Sequence, residues 1–213
     1  MMLRKWEALP ENMRTDAVRP YYELLEKKQG SLLLKRVFDV AVSAVMLLIL
    51  SPLFLLLAIA IKLDSPGPVF YRQVRVTQYG ETFRIFKFRS MVSNADKIGT
   101  QVTVGNDSRI TRVGKLVRKC RLDEICQLID IFRGTMTFVG TRPEVPKYVA
   151  AYTPEMMASL LLPAGVTSEA SILYKDEVEK APGMKYNLDA LKNFSFFSDI
   201  ATMFRTVFAV LGK

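Results

Sequence analysis

Apolar and polar residues are sorted unevenly along the chain. The longest apolar run, Val37–Ile61, reads VFDVAVSAVMLLILSPLFLLLAIAI. As one straight helix, about 25 residues at ~1.5 Å each would cross a hydrocarbon core of about 30 Å. Ser51-Pro52 lies near its middle. Proline removes an intrahelical hydrogen bond and clashes with the preceding turn, and a serine hydroxyl there can bond a freed carbonyl. The break leaves arms of roughly 21 and 14 Å, each too short to cross alone. Lys35 and Arg36 precede the run, and Lys62, Arg72 and Arg75 follow it. Because Lys and Arg are favoured on the cytoplasmic side, charge at both ends favours a re-entrant helix-break-helix over a kinked spanning helix. The run starts too far from the N-terminus, and lacks a cleavage site, to be a signal peptide.

A second membrane-seeking pattern closes the chain. In Asn193–Leu211 the residues Phe197, Ile200, Phe204, Val207, Phe208 and Leu211 recur at helical spacing. Such a Phe-rich amphipathic helix suits the plane of a membrane interface; a helix docked on the core is an equal reading. Residues 1–30 read as a polar helical extension, broken by Pro10 and Pro20 and ended by Gly30. It leaves room for a partner or for a second copy of the chain.

Between these ends the period changes. The turn cluster Asp64-Ser65-Pro66-Gly67-Pro68 precedes two stretches alternating with period two, Val69–Val74 and Thr82–Phe88. With Gln78–Glu81 between them they predict a β-hairpin. In the second strand Lys87 shares a face with Phe83 and Ile85, a placement that suits a lysine aimed at phosphate as well as a solvated one. Residues 94–108 predict a loop or short helix. Lys115–Phe132 carries apolar residues at helical spacing and stops at Gly134. A short strand or turn follows at Met136–Val139, then a helical third with a break at Pro163-Ala164-Gly165. The expected fold is α+β and mainly helical. It comprises an extension (1–34), a re-entrant membrane helix (35–63), a catalytic domain with a small hairpin (64–192) and a C-terminal amphipathic helix (193–213).

Charge sharpens this picture. The 213 residues carry a net charge of +9. Residues 62–121 hold thirteen Lys and Arg against four Asp and Glu, a surplus of nine that equals the whole excess. A basic block of this kind implies an anionic partner: nucleic acid, membrane phosphates or a phosphorylated substrate. Two cysteines, Cys120 and Cys126, give neither a disulfide framework nor a zinc pattern and read as small buried residues of a reducing compartment. Histidine is absent, which excludes Ser-His-Asp and Cys-His chemistry. Catalysis must then use carboxylates, Lys, Arg or hydroxyls, and any metal would be a hard, oxygen-seeking ion such as magnesium.

The densest chemistry is Arg118-Lys119-Cys120-Arg121-Leu122-Asp123-Glu124. An Asp-Glu pair is ordinarily an exposed helical face. If a helix begins near Leu122, however, both acids occupy its first turn, where negative charge is favoured and phosphate also binds. A carboxylate can attack phosphorus to give an acyl phosphate, its neighbour can hold a magnesium ion, and bases can stabilise the transferring phosphoryl group.

From Lys35 onward the chain resembles the bacterial sugar transferases, the monotopic polyprenol-phosphate phosphoglycosyl transferases. The matching motifs, in order, are Lys35-Arg36-Val37-Phe38-Asp39, Ser51-Pro52, Lys87-Phe88-Arg89-Ser90-Met91, Leu122-Asp123-Glu124-Ile125, and Arg133-Gly134 through Phe138-Val139-Gly140-Thr141-Arg142-Pro143. The resemblance implies an enzyme that moves a phosphosugar from a UDP-sugar to a polyprenol phosphate, releasing UMP through a covalent intermediate on Asp123. It implies that Glu124 associates with Mg2+, that Lys87, Arg118 and Arg142 contact substrate phosphates, and that the helix re-enters at Ser51-Pro52. The implied location is the cytoplasmic face of a bacterial inner membrane, among membrane lipids and with no nucleic-acid partner. One segment departs: many relatives carry Arg-Pro-Gly-Ile-Thr-Gly-Trp where this chain has Pro163-Ala164-Gly165-Val166-Thr167-Ser168-Glu169. The stretch Lys175–Met184 is also short beside relatives.

Overall fold

The apolar run forms the middle of a single long helix. A computed structural model describes residues 3–95, 107–173 and 180–211. Helix α1 spans Arg19–Glu26 and α2 Gln29–Asp64. The hairpin strands are β1, Phe70–Val76, and β2, Thr82–Phe88. Then follow α3 (Arg112–Lys119), α4 (Gln127–Arg133), β3 (Met136–Val139), α5 (Pro146–Val149), β4 (Ala164–Thr167), α6 (Glu169–Leu173), α7 (Lys180–Lys192) and α8 (Phe196–Leu211). The chain is mainly helical, with small two-stranded sheets and one long apolar helix.

Helix α2 begins six residues before the expected entry at Lys35, because Gly30 sits inside its first turn rather than ending a preceding helix. It is assigned as helix throughout, Pro52 included, and the Ser51 hydroxyl donates to the Leu48 carbonyl at 2.8 Å. About half of its apolar residues are exposed, Leu48 being 76% exposed and Leu56 65% exposed. Pro20 likewise opens a helix instead of breaking one: it stands in the first turn of α1, where a missing N–H costs nothing.

The chain divides into two compact units. The first comprises Met1–Val42, Val74–Phe83 and Asp130–Lys213. Its core joins Met13, Val18 and Leu25 from the N-terminal segment to Ala158, Leu161, Leu188 and Phe194. Tyr21 donates to the Glu155 carboxylate and Tyr22 to the Arg4 carbonyl, so the N-terminal segment is held by polar contacts as well. In the same unit β3 pairs parallel with β4, Thr137 opposite Gly165. Pro163–Gly165, expected to break a helix, instead leads into this strand. The reason is backbone proximity: a Cβ on Gly165 would lie 2.1 Å from the Gly140 nitrogen.

The second unit comprises Ser43–Gln73 and Arg84–Ile129. Its core gathers Leu57 and Ile61 of α2 with Phe88, Val117 and Cys126. Phe88 meets Phe54 edge-on and stacks on Phe70. The helix expected over 115–132 is interrupted. Arg121 takes a left-handed conformation (φ 53°), and Leu122–Glu124 form a separate 3-10 turn. Cys120 and Leu116 are consequently exposed, since their spacing no longer continues onto the face that carries buried Cys126 and Leu128. The predicted loop at 94–108 falls mostly outside the described residues, as do 174–179.

Candidate active site

Asp123 and Glu124 occupy the turn between α3 and α4, directly after the left-handed Arg121. A non-glycine residue in that region is held against a cost of about 1–3 kcal/mol, so the surrounding contacts must fix the turn. Several do. Thr111 caps α3, its hydroxyl oxygen accepting the Gly114 N–H at 3.0 Å. Asp64, at the end of α2, accepts the Val113 N–H at 2.8 Å. Gly114 packs so close to β2's continuation that a Cβ would sit 2.0 Å from the Ser90 carbonyl oxygen. Helix α3 is thus set by backbone contact against the segment that follows Lys87.

The hairpin supplies the cation. Lys87 Nζ donates to Glu124 Oε1 at 2.8 Å, with both side chains largely shielded. Two residues on, Arg89 is 5% exposed and donates to the Ser65 carbonyl at 2.6 Å and the Pro66 carbonyl at 2.8 Å. A guanidinium there satisfies carbonyls beyond the C-terminus of α2. Alternation along the strand therefore places one base at the acidic turn and the next at the helix end.

Burial raises the Asp123 carboxyl above its ordinary range; Glu124 pushes it further up, while Lys87 and Arg118 draw it down. Four of the expected residues, Lys87, Arg118, Asp123 and Glu124, therefore act on one another within the second unit. Arg142 belongs to the first unit, exposed just after β3. Among the described residues no group of three or more acidic or thiol ligands converges. Two adjacent carboxylates still suit magnesium, which keeps several waters and takes one or two carboxylates plus substrate phosphates.

The membrane-entry motif makes a clamp within the first unit. Lys35, 2% exposed, donates to the Val139 carbonyl at 2.8 Å and to Asp199. Asp39, 1% exposed, accepts the Thr137 hydroxyl at 2.7 Å and the Phe138 N–H at 3.3 Å. Arg36 donates to the Ile131 and Phe132 carbonyls at the end of α4. Gly134 (φ +90°) ends that helix, and a Cβ there would come within 3.0 Å of the Arg36 guanidinium. Sequence reasoning quoted these motifs without linking them. Buried Lys35, Asp39 and Arg89, and the capping residues Asp64 and Thr111, had no signal beyond their place in short motifs and turns.

The described residues thus hold an acidic turn acted on by Lys87 and Arg118, and one helix long and apolar enough to cross a membrane. Comparison with known proteins narrows the class. The family model for bacterial sugar transferases matches residues 30–213. The chain is 34% identical over 201 residues to the UDP-N-acetylgalactosamine-undecaprenyl-phosphate N-acetylgalactosaminephosphotransferase of Aeromonas hydrophila, covering 88% of this chain and 48% of that protein. It is 36% identical over 185 residues to the UDP-glucose:undecaprenyl-phosphate glucose-1-phosphate transferase of Escherichia coli K12, covering 83% and 40%. It is 34% identical over 191 residues to the exopolysaccharide production protein ExoY of Rhizobium meliloti, covering 83% and 84%. The chain thus spans less than half the length of the first two relatives and most of the third. The chain belongs to the bacterial sugar transferase family. The match begins at residue 30, although side chains from Leu3 onward pack in the first unit's core.

Proposed function

We propose that the protein transfers a sugar phosphate from a UDP-sugar to a polyprenol phosphate, the first membrane step in assembling a glycan. The observation that carries this reading is the shielded Asp123-Glu124 turn with Lys87 bonded to Glu124, in a chain whose relatives carry names of that reaction. In the first step an Asp123 carboxylate oxygen attacks the sugar-proximal phosphorus. The bond from that phosphorus to the bridging oxygen breaks, and UMP departs with the electron pair. In the second step a phosphate oxygen of the polyprenol phosphate attacks the same phosphorus, the acyl-phosphate bond breaks, and Asp123 returns as carboxylate. The product is polyprenol-diphosphate-sugar.

Lys87 holds Glu124 in place and, with Arg118, offsets the charge that builds on the phosphoryl oxygens. Arg142 contacts substrate phosphate. Glu124 would hold magnesium, which when bound neutralises the diphosphate. Helix α2 re-enters the membrane at Ser51-Pro52, and α8 lies at the interface with Phe197, Phe204 and Phe208 toward lipid; these three side chains are 79%, 63% and 71% exposed. Both ends of the chain then lie on the cytoplasmic side of a bacterial inner membrane. The test is UMP release from UDP-sugar without lipid acceptor. Asp123→Asn should abolish it, and mass spectrometry of the wild-type protein should find a phosphosugar on Asp123. Release persisting in Asp123→Asn would sink the covalent scheme.

A further inference from the structure

Within the second unit the end of α2 is tied to the start of α3. Asp64 of α2 accepts the Val113 N–H of α3 at 2.8 Å, and Ile61 and Val117 belong to one buried core. The last turns of α2 still expose apolar side chains: Leu56 is 65%, Ile59 49% and Leu63 83% exposed. With these side chains in hydrocarbon, the C-terminal end of α2 and the start of α3 lie at headgroup depth.

The outward face of α3 has the chemistry that this depth requires. Gly114 and Val117 are buried, whereas Arg112, Lys115, Leu116 and Lys119 are exposed. Spacings of three, four and seven residues put these four on one side of the helix. Lys62, near the end of α2, is exposed as well. Three lysines and an arginine thus accompany Leu116, which is 59% exposed. The acids nearby are engaged elsewhere: Asp107 pairs with Arg109, Glu124 with Lys87, and Asp64 accepts the Val113 N–H. The ammonium groups of Lys62, Lys115 and Lys119 have no partner among the described residues. Exposed leucines among unpaired amines suit phosphate laid over hydrocarbon, because the stems and leucines can enter acyl chains while the charges stay at phosphate level. A free nucleotide offers phosphate without the apolar layer. A zwitterionic headgroup sets its own cation against these lysines, and an anionic one does not.

We propose that the junction of α2 and α3 is a docking surface for anionic phospholipid headgroups. Lys62, Lys115 and Lys119 bind lipid phosphate, and Leu63 and Leu116 enter the acyl layer. The proposal rests on the placement of α2 in the membrane given above. It adds a preference for negatively charged lipid beside the segment that leads to Asp123.

Lipid-selective quenching on the full chain in nanodiscs tests it. Cys120, exposed at the end of α3, carries a bimane reporter, Cys126 being buried. The discs contain phosphatidylcholine, no polyprenol phosphate, and equal small fractions of spin-labelled phosphatidylglycerol or spin-labelled phosphatidylcholine. Phosphatidylglycerol should quench more, and the ratio of the two lipid affinities should fall as salt is raised. Lys115→Gln and Lys119→Gln should each lower that ratio about fivefold at low salt, the contribution of one base near an anionic surface. Equal quenching by both lipids overturns the anionic surface while leaving α2 in the membrane; a chain that does not enter the discs overturns both. In detergent, UMP release by the unlabelled Lys115→Gln and Lys119→Gln proteins should match the wild type. Loss of release would assign these lysines to the donor, and selectivity seen only on adding polyprenol phosphate would assign them to the acceptor; either result overturns the proposal.

Discussion

Lys87 Nζ lies 2.8 Å from Glu124 Oε1 and so fixes the second acid of the pair whose first is raised by burial. The contact has a consequence for pH. A nucleophilic Asp123 must be ionised, so the rate falls as pH drops through its pKa. Lys87 opposes the rise and Glu124 adds to it. Lys87→Met should therefore move the acid limb of UMP release to higher pH, and Glu124→Gln should move it lower. The pH profile of kcat/KM reads these shifts in the free enzyme. Coincident acid limbs in both variants would remove Asp123 from the titration.

The Lys35–Asp199 pair should matter chiefly for stability. Lys35 is 3% and Asp199 15% exposed at the side chain, and removing one partner of a buried pair costs about 3–5 kcal/mol. Lys35→Met should lower the urea midpoint in detergent accordingly. Burial already raises the Asp199 pKa, and Lys35 holds it down. For an acid with a folded pKa above its unfolded one, stability falls as pH rises from the unfolded toward the folded value. Without Lys35 the folded pKa climbs further. The defect should thus be largest at neutral pH and shrink on acidification, whereas a pH-independent defect would point to lost packing alone.

Gly165→Ala places a methyl where the Gly140 backbone already lies, 2.1 Å from its nitrogen. Neither backbone can yield without breaking the β3–β4 pairing. The variant should lose about 3 kcal/mol or more, at the upper end of overpacking costs, measured by chemical unfolding. Gly30→Ala, with nothing within 4 Å of the added Cβ, should be neutral or stabilising and serves as its control.

Re-entry is read by cysteine accessibility. With Lys5→Cys and Lys213→Cys, an impermeant maleimide should label both positions from the cytoplasmic side only. Pro52→Leu restores a backbone donor in the middle of α2 and should allow some molecules to span, giving label on opposite sides. Opposite-side labelling in the otherwise unaltered protein would refute re-entry.

Much of this was legible in the sequence because it is local. Helix α2 announced itself by length and hydrophobicity, and the hairpin by alternation around Gln78–Glu81, where Tyr79 adopts a positive φ of 59°. The acidic pair was found by its neighbours in sequence. The break that isolates it was not, because a left-handed Arg121 carries no glycine to mark it. Strand β4 was missed for a related reason: four residues of Ala, Gly, Val and Thr alternate weakly, and their partner strand is distant in sequence. The fate of Lys35 was hidden altogether. Its place beside the apolar run read as a charge favouring the cytoplasmic side, whereas its ammonium group is buried against β3 and α8.

That last contact also sets an order of events in the cell. Lys35 and Asp199 are 164 positions apart, so the apolar run emerges from the ribosome long before its acidic partner is translated. Throughout that interval the lysine must remain hydrated, and only the hydrophobic stretch beyond it can be committed to lipid. The ammonium group can leave water for this contact only after Asp199 has been made and α8 has folded to receive it. A nascent chain halted short of residue 199 would be tethered to the bilayer with its first unit still unlocked.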